Sequence, residues 1–143
     1  MTAPSRTGDV RVTLPLKTSS VLNGSQGFSR GAAMAAARRR RDQRAMTKLV
    51  VGMHVRSCLV ALPAVVTLTR LAPSNGLDDD NLRGALKSVR DGVADALGLD
   101  DRDPRVSWRY EQRRTHPRKT GAVELGTVKG YGVEVRVVPA TAP

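Results

Sequence analysis

Residues 77–106 read L-D-D-D-N-L-R-G-A-L-K-S-V-R-D-G-V-A-D-A-L-G-L-D-D-R-D-P-R-V. Leu82, Leu86, Val89, Val93 and Leu97 recur at steps of four and three, which is one apolar stripe along a helix. This spacing predicts a single helix over 81–97. Asp80 is its expected N-cap, with Asp79 as the alternative, and Gly98 is its expected stop. Asp80, Gly84, Lys87 and Asp91 fall on the opposite face, so Lys87 points the same way as Asp80 two turns on. Just upstream, residues 65–71 (V-V-T-L-T-R-L) alternate and are β-branched, which predicts a strand. Pro73, Ser74, Asn75 and Gly76 then loosen the chain. With 77–80 extended again, Asp78 and Asp80 would share one side. Downstream, Val106, Trp108 and Tyr110 alternate with Ser107, Arg109, Glu111 and Arg113, which predicts a second strand. A strand, a helix and a strand in this order form the centre of an α+β domain.

The charge of this stretch is unusual for the chain. It holds eight of the 13 acidic residues and five of the 24 basic ones, yet the formal net charge of the whole is +11. An acidic island of this kind repels itself unless something neutralises it. A hard divalent cation with oxygen ligands would do so. The basic remainder suits a polyanion. Each feature also has a plainer account. An Asp triplet before a helix is a cap with dipole-favouring charge. Lys87 and Asp91 at i,i+4 can be a surface pair. Asp100-Asp101-Arg102-Asp103-Pro104 reads alone as a solvated turn.

The combination resembles the RusA-type Holliday-junction resolvases, small homodimeric Mg²⁺-dependent endonucleases of phages and prophages. Their signature is an Asp-x-Asp-Asn-Leu run leading into a helix with a Lys, then an Asp-Asp turn into a strand. Here Asp78-Asp79-Asp80-Asn81-Leu82 matches the first part, and Asp100-Asp101 before Val106 matches the second. Residues 10–16 (V-R-V-T-L-P-L) also resemble the family's first strand. The resemblance covers most of the chain loosely and is specific over 77–106. It implies a RusA-like fold in an intertwined homodimer, with Asp78, Asp80 and Asp101 as catalytic Mg²⁺ ligands and Asp100 as the alternative to Asp101. In the family pattern the catalytic Lys lies one turn after the second Asp, where this chain has Gly84. The role passes to Lys87, which is followed four residues on by an Asp, as in the family. Asn81 would orient a ligand carboxylate. The implied reaction is paired hydrolysis of phosphodiesters in a four-way DNA junction, in a bacterial or phage-infected cytoplasm, in recombination and repair. A straight helix over 81–97 is roughly 25 Å long. Asp101 would then reach Asp78 only from the partner subunit, giving composite sites across the dimer.

The rest of the chain sets the bounds. At 143 residues it is one domain in size. Residues 1–8 read as a mobile arm, 9–138 as the domain and 139–143 as a tail. Aromatics are 3%, so the core must be built from Val, Leu, Ala and Met. No apolar run is long enough to span a bilayer, and the N-terminus shows no secretory h-region. One Cys, Cys58, allows no intrachain disulfide and fits a reducing compartment. His54 and His116 suggest no zinc site, and no small-molecule cofactor is expected. Residues 10–14 read as a strand and 17–26 as a polar loop with an Asn23-Gly24 turn. Residues 29–54 are Ala-rich and favour helix. Arg38 to Arg41 wrap around that helix, and Arg41, Arg44 and Lys48 form a basic stripe suited to phosphates. Arg114, Arg118 and Lys119 lie in a basic loop, a second candidate DNA contact. Pro63 breaks the stretch 59–71. Trp108 and Tyr110 suit core anchors and can also stack on bases. Residues 123–128 are weakly β, and 131–137 form a closing strand with Tyr131, Val133, Val135 and Val137 inward. The expected architecture is β-loop-α-β-α-β-β, a small mixed sheet with two main helices. Two other functions share these features: a nuclease for other branched or non-specific DNA, and a non-enzymatic basic DNA-binding protein.

Overall fold

A computed structural model describes residues 9–18, 30–57, 60–116 and 126–140. The element order is β1 (Val10–Leu14), α1 (Arg30–Ser57), β2 (Ala64–Ala72), α2 (Asp79–Ala85), α3 (Lys87–Leu97), β3 (Val106–Arg114) and β4 (Gly132–Pro139). The four strands form one sheet in the order β1-β4-β2-β3. β4 pairs antiparallel with both β1 and β2, while β2 and β3 run parallel. The sheet is therefore mixed, and the fold is α+β, as the sequence predicts.

Alternation decides what each face of the sheet carries. Val66 sits opposite Val137 and Trp108, and Leu68 opposite Val135 and Tyr110, so these share a face. Val66, Leu68, Val133, Val135 and Val137 are fully buried there with Leu82, Leu86, Val89 and Val93 from the helices and Val51 from α1. The other face carries Arg11, Glu134, Arg136, Thr67, Arg109 and Glu111. The helices thus lie on one side of the sheet, and the core of the described residues is built from Val, Leu and Ala with Trp108 and Tyr110 packed against it. Gly92 brings α3 close to α1: a Cβ there would meet the Arg44 carbonyl oxygen and the Thr47 Cβ, each at 2.6 Å.

The helix expected over 81–97 is two helices. The chain breaks at Leu86, whose φ of −99° and ψ of 1° lie outside the helical well. Gly84, a poor helix former, precedes the break. The hydrogen bonds Leu86 N–H to Leu82 O (3.1 Å) and Arg90 N–H to Leu86 O (2.9 Å) span it. The apolar stripe survives, because Leu82, Leu86, Val89 and Val93 all stay buried. Gly98 ends α3 in the left-handed conformation at φ 70°, as expected.

Other boundaries shift by a few residues. β2 starts just after Pro63, and its first residue, Ala64, is paired on both sides rather than lying at an edge. β4 runs on to Pro139, so residues 139 and 140 belong to the sheet region and not to a tail; Ala140 N–H bonds Pro63 O. Val128 makes only a bridge to Tyr131. The arm at 1–8, the Asn23-Gly24 turn, Cys58, residues 123–125 and the tail end at 141–143 lie outside the described residues. Among the described residues, no helix is long and apolar enough to cross a membrane.

Candidate active site and nucleic-acid interface

The first cluster stands where β2 hands over to α2. Gln112 on β3 clasps the connecting loop with two bonds: Leu77 N–H donates to its Oε1 at 2.8 Å, and its Nε2 donates to Leu77 O at 2.7 Å. Asp78 is extended (φ −69°, ψ 169°), and its Oδ1 accepts the Asn81 N–H at 2.9 Å. Asp78, and not Asp80 or Asp79, is therefore the N-cap. Asp79 and Asp80 are already helical, so the expected extended run over 77–80 stops at Asp78. The cause is the cap itself, since Leu82 N–H bonds Asp78 O and closes the first turn there. All three carboxylates are exposed. Asp79 and Asp80 have no salt bridge among the described residues.

The second cluster lies along α3 and the turn after it. Lys87 Nζ is 3.1 Å from Asp91 Oδ1 and 3.7 Å from Asp101 Oδ2. Lys87 thus makes the surface pair with Asp91 and also reaches one of the expected catalytic carboxylates. Arg90 holds the Asp101 turn in place. Its Nη2 donates to Asp101 O at 2.8 Å, its Nη1 donates to Tyr110 Oη at 2.7 Å, and its Nε is 3.7 Å from Asp101 Oδ2. The guanidinium lies 4.8 Å from the Trp108 ring centroid, and Trp108 Nε1–H donates to the same Asp101 carbonyl at 3.1 Å. Asp100 plays a different part, accepting the Arg102 N–H within the turn at 2.9 Å. Of the two acids, Asp101 is the one presented to Lys87.

Arg44 completes this cluster from α1. Its Nε and Nη2 grip Asp95 at 2.7 and 3.0 Å, and its Nη1 is 4.0 Å from Asp91. The hydrogen bond from Arg44 holds the Asp95 carboxyl below its ordinary pKa, and the same bond raises Arg44. Arg44, Asp91, Asp95, Asp100 and Asp101 line an open groove of about 270 Å³. Nearby, Arg105 donates from both its backbone and its side chain to Asp103, whose pKa falls to about 2.

The expected ligands Asp78, Asp80 and Asp101 are not gathered into one centre. Among the described residues, no three His, Cys, Asp or Glu side chains are grouped so that they could hold a metal ion. The first cluster is anchored at Gln112 and the second at Trp108, four residues apart on β3, or about 13 Å at the rise of a strand. The helix breaks at Leu86, and the Asp101 turn folds back on α3. The donor chemistry of Asp78 and Asp80, exposed hard oxygens, still fits Mg²⁺, which binds through one or two carboxylates with water and phosphate oxygens completing its shell. Asn81 is at the right place in the chain to steady them, and its backbone N–H already does so for Asp78.

The basic stripe is modified in one respect. Arg38, Arg41 and Lys48 are exposed on α1, but Arg44 is tied to α3 and is not free to hold phosphate. Arg114 is exposed at the end of β3. Arg118 and Lys119 lie outside the described residues. Sequence reasoning missed Arg90 and Gln112, which hold the two clusters in place. Arg90 lies three residues after Lys87, and Gln112 shares a face with Trp108 and Tyr110, so periodicity brings both to the right side of their elements. No protein-family model and no curated protein matches the chain.

Proposed function

We propose that the protein is a Mg²⁺-dependent endonuclease that hydrolyses DNA phosphodiesters at four-way junctions, acting as a homodimer in the manner of the RusA-type resolvases it resembles. One observation carries this reading. The carboxylates of Asp91, Asp95, Asp101 and Asp103 each have a basic partner within 4.0 Å. Asp79 and Asp80, beside Asp78 at a rigid strand-to-helix junction, have none among the described residues. Uncompensated acid in a chain of charge +11 is what a cation-assisted phosphate site requires.

Asp78 and Asp80 would hold the ion. A bound Mg²⁺ supplies charge neutralisation at the phosphate and a water of lowered pKa. Asn81 N–H fixes the Asp78 carboxylate. Lys87, on the first turn of α3, offers its ammonium to charge developing on the scissile phosphate. Asp101, turned by Arg90 and Trp108, holds Lys87 in a fixed direction. The absence, among the described residues, of any group of three ligating side chains supports a site completed by a second copy, in which the Lys87–Asp101 cluster of one subunit serves Asp78 and Asp80 of its partner. Arg38, Arg41, Lys48 and Arg114 bind phosphates without reading sequence.

The competing reading is a non-enzymatic basic DNA-binding protein, and the capping role of Asp78 favours it. One experiment separates the two. Labelled four-way junction, duplex and single-stranded DNA are incubated with the protein in Mg²⁺ or in EDTA. Junction cleavage that EDTA abolishes is expected, and Asp80→Asn should bind junction as well as wild type while cutting at least 100-fold more slowly. Asp80 caps nothing, so its loss leaves folding intact. Binding without cleavage in any metal would establish the competing reading.

A further inference from the structure

A groove of about 410 Å³ opens between α2 and β3, next to the carboxylates at the start of α2. Trp108 and Tyr110 form its wall, Leu82 its floor, and Asp79 and Arg83 its α2 side. From the groove and its surroundings we infer that it receives an unpaired nucleobase of the DNA strand being cut. The inference rests on the nucleic-acid reading above and adds the kind of strand the site selects.

Three features point to a base. First, the polar tips of both aromatics are used inward: Trp108 Nε1 bonds Asp101 O, and Tyr110 Oη bonds Arg90. Both side chains are half-buried, so ring surface remains at the groove. Base-on-aromatic stacking accepts any base, because every base has a π-face. Second, the charges of the lining cancel. On the helix side of the groove Asp79 is set against Arg83, so a phosphate gains little there, whereas a neutral base with donors and acceptors on its rim finds both. β3 is an edge strand. Ala64 N–H bonds Arg105 O and Thr115 N–H bonds Ala72 O, so its odd-numbered residues face β2 and its outward backbone groups are those of Trp108 and Tyr110, which add more of each kind. Third, the exposed Arg83 guanidinium already lies over the Tyr110 ring, 5.6 Å from its centroid. A planar guanidinium stacks on a base as it does on a tyrosine, so Arg83 can close over an incoming base. In a duplex both faces of every base are covered by neighbours. The groove therefore takes only a base freed at a branch point, a gap or a single strand.

Trp108 is the one tryptophan in the chain, so all tryptophan emission comes from the groove wall; an abasic oligomer controls for changes that backbone binding causes at the Asp101 turn, which Trp108 also touches. The full-length protein, in EDTA to prevent cutting, is titrated with three end-labelled probes. These are a thymidine oligonucleotide, the same-length oligomer with abasic residues in place of thymidines, and a fully paired duplex. Label anisotropy gives affinity, and tryptophan emission gives groove occupancy. The expected result is a change in Trp108 emission with the thymidine oligomer only, and affinity for the abasic oligomer about tenfold lower. Tyr110→Leu, which keeps bulk and loses one of the two rings, should narrow the difference between the two oligomers and leave duplex binding unchanged. If Tyr110→Leu does not fold, the wild-type emission comparison decides alone. Equal affinity for base-bearing and abasic oligomers, or bound thymidine oligomer with unchanged Trp108 emission, overturns the inference. These outcomes are separable from the cleavage assay. A protein that cuts junctions with a silent Trp108 keeps the nuclease reading and loses the groove, and the reverse pattern keeps the groove and loses the nuclease.

Discussion

Lys87 is the residue at which the plain and the functional accounts diverge most sharply. Its ammonium is bound by Asp91 at 3.1 Å, the geometry of an exposed i,i+4 pair. With the Lys87 side chain 64% exposed, such a pair contributes about 0.5 kcal/mol at most. The contact with Asp101 at 3.7 Å adds a direction to that charge. If Lys87 serves only the surface, Lys87→Ala should lower stability by about 0.5 kcal/mol or less and leave turnover unchanged. If it stabilises charge on the phosphate, turnover should fall by roughly 100-fold with junction affinity nearly constant. Single-turnover cleavage of a labelled junction, with a denaturation curve alongside, reads both quantities. Arg83 is not a suitable control on the neighbouring face, because it lies over Tyr110 in the groove inferred to take a base. Nor is Arg90, because it bonds the Asp101 carbonyl and Tyr110, and its loss would free the turn that steers Lys87.

At the scale of elements, helix packing is most sensitive at Gly92. A methyl group there would sit 2.6 Å from both the Arg44 carbonyl oxygen and the Thr47 Cβ, and the first of these is backbone that cannot swing aside. Gly92→Ala gains helix propensity and loses the close approach of α1 to α3. The overpacking cost, about 1–3 kcal/mol, exceeds the gain of about 1 kcal/mol at its upper end. Chemical denaturation should therefore show destabilisation, whereas Gly84→Ala, with nothing within 4 Å of the added carbon, should be neutral or stabilising. Gly92 and Gly84 look alike in the sequence, and this is where sequence reading stops. The apolar stripe from Leu82 to Val93 was legible because burial follows period, and it stays buried although the helix breaks. The break at Leu86 was not legible, because no proline marks it. The caps were only partly legible: three consecutive Asp residues can each cap, and the choice of Asp78 depends on Gln112 fixing Leu77 from another strand. The stripe of Arg41, Arg44 and Lys48 follows from spacing, but the loss of Arg44 to Asp95 is a contact 51 residues away in sequence.

For the whole molecule, the division of the acidic residues into two separate clusters is the decisive feature. Gln112 anchors the loop that leads to Asp78 and Asp80, and Trp108 anchors the Asp101 turn that Lys87 meets; these two anchors are about 13 Å apart along β3. A homodimer with a two-fold axis can bring one cluster of each subunit to the other cluster of its partner, twice over. That arrangement predicts complementation between inactive variants. Asp80→Asn damages the first cluster, and Lys87→Ala damages the second. Mixed and allowed to exchange subunits, they give heterodimers in statistical proportion, about half of all dimers. In a composite dimer, one site of each heterodimer then combines Asp80 from the Lys87→Ala chain with Lys87 from the Asp80→Asn chain. That site is intact, and the other site carries both substitutions. Nicking should return to about one quarter of the wild-type rate, because half of the dimers carry one working site of two. Paired cleavage of the junction should not return with it, because no heterodimer has two working sites. If each site is built within one chain, every site in the mixture carries one substitution, and nicking stays at the level of the separate variants. Sedimentation of the mixture shows whether dimers form at all. A monomer that cuts would remove the composite site and leave Asp78, Asp80 and Lys87 to act within one subunit.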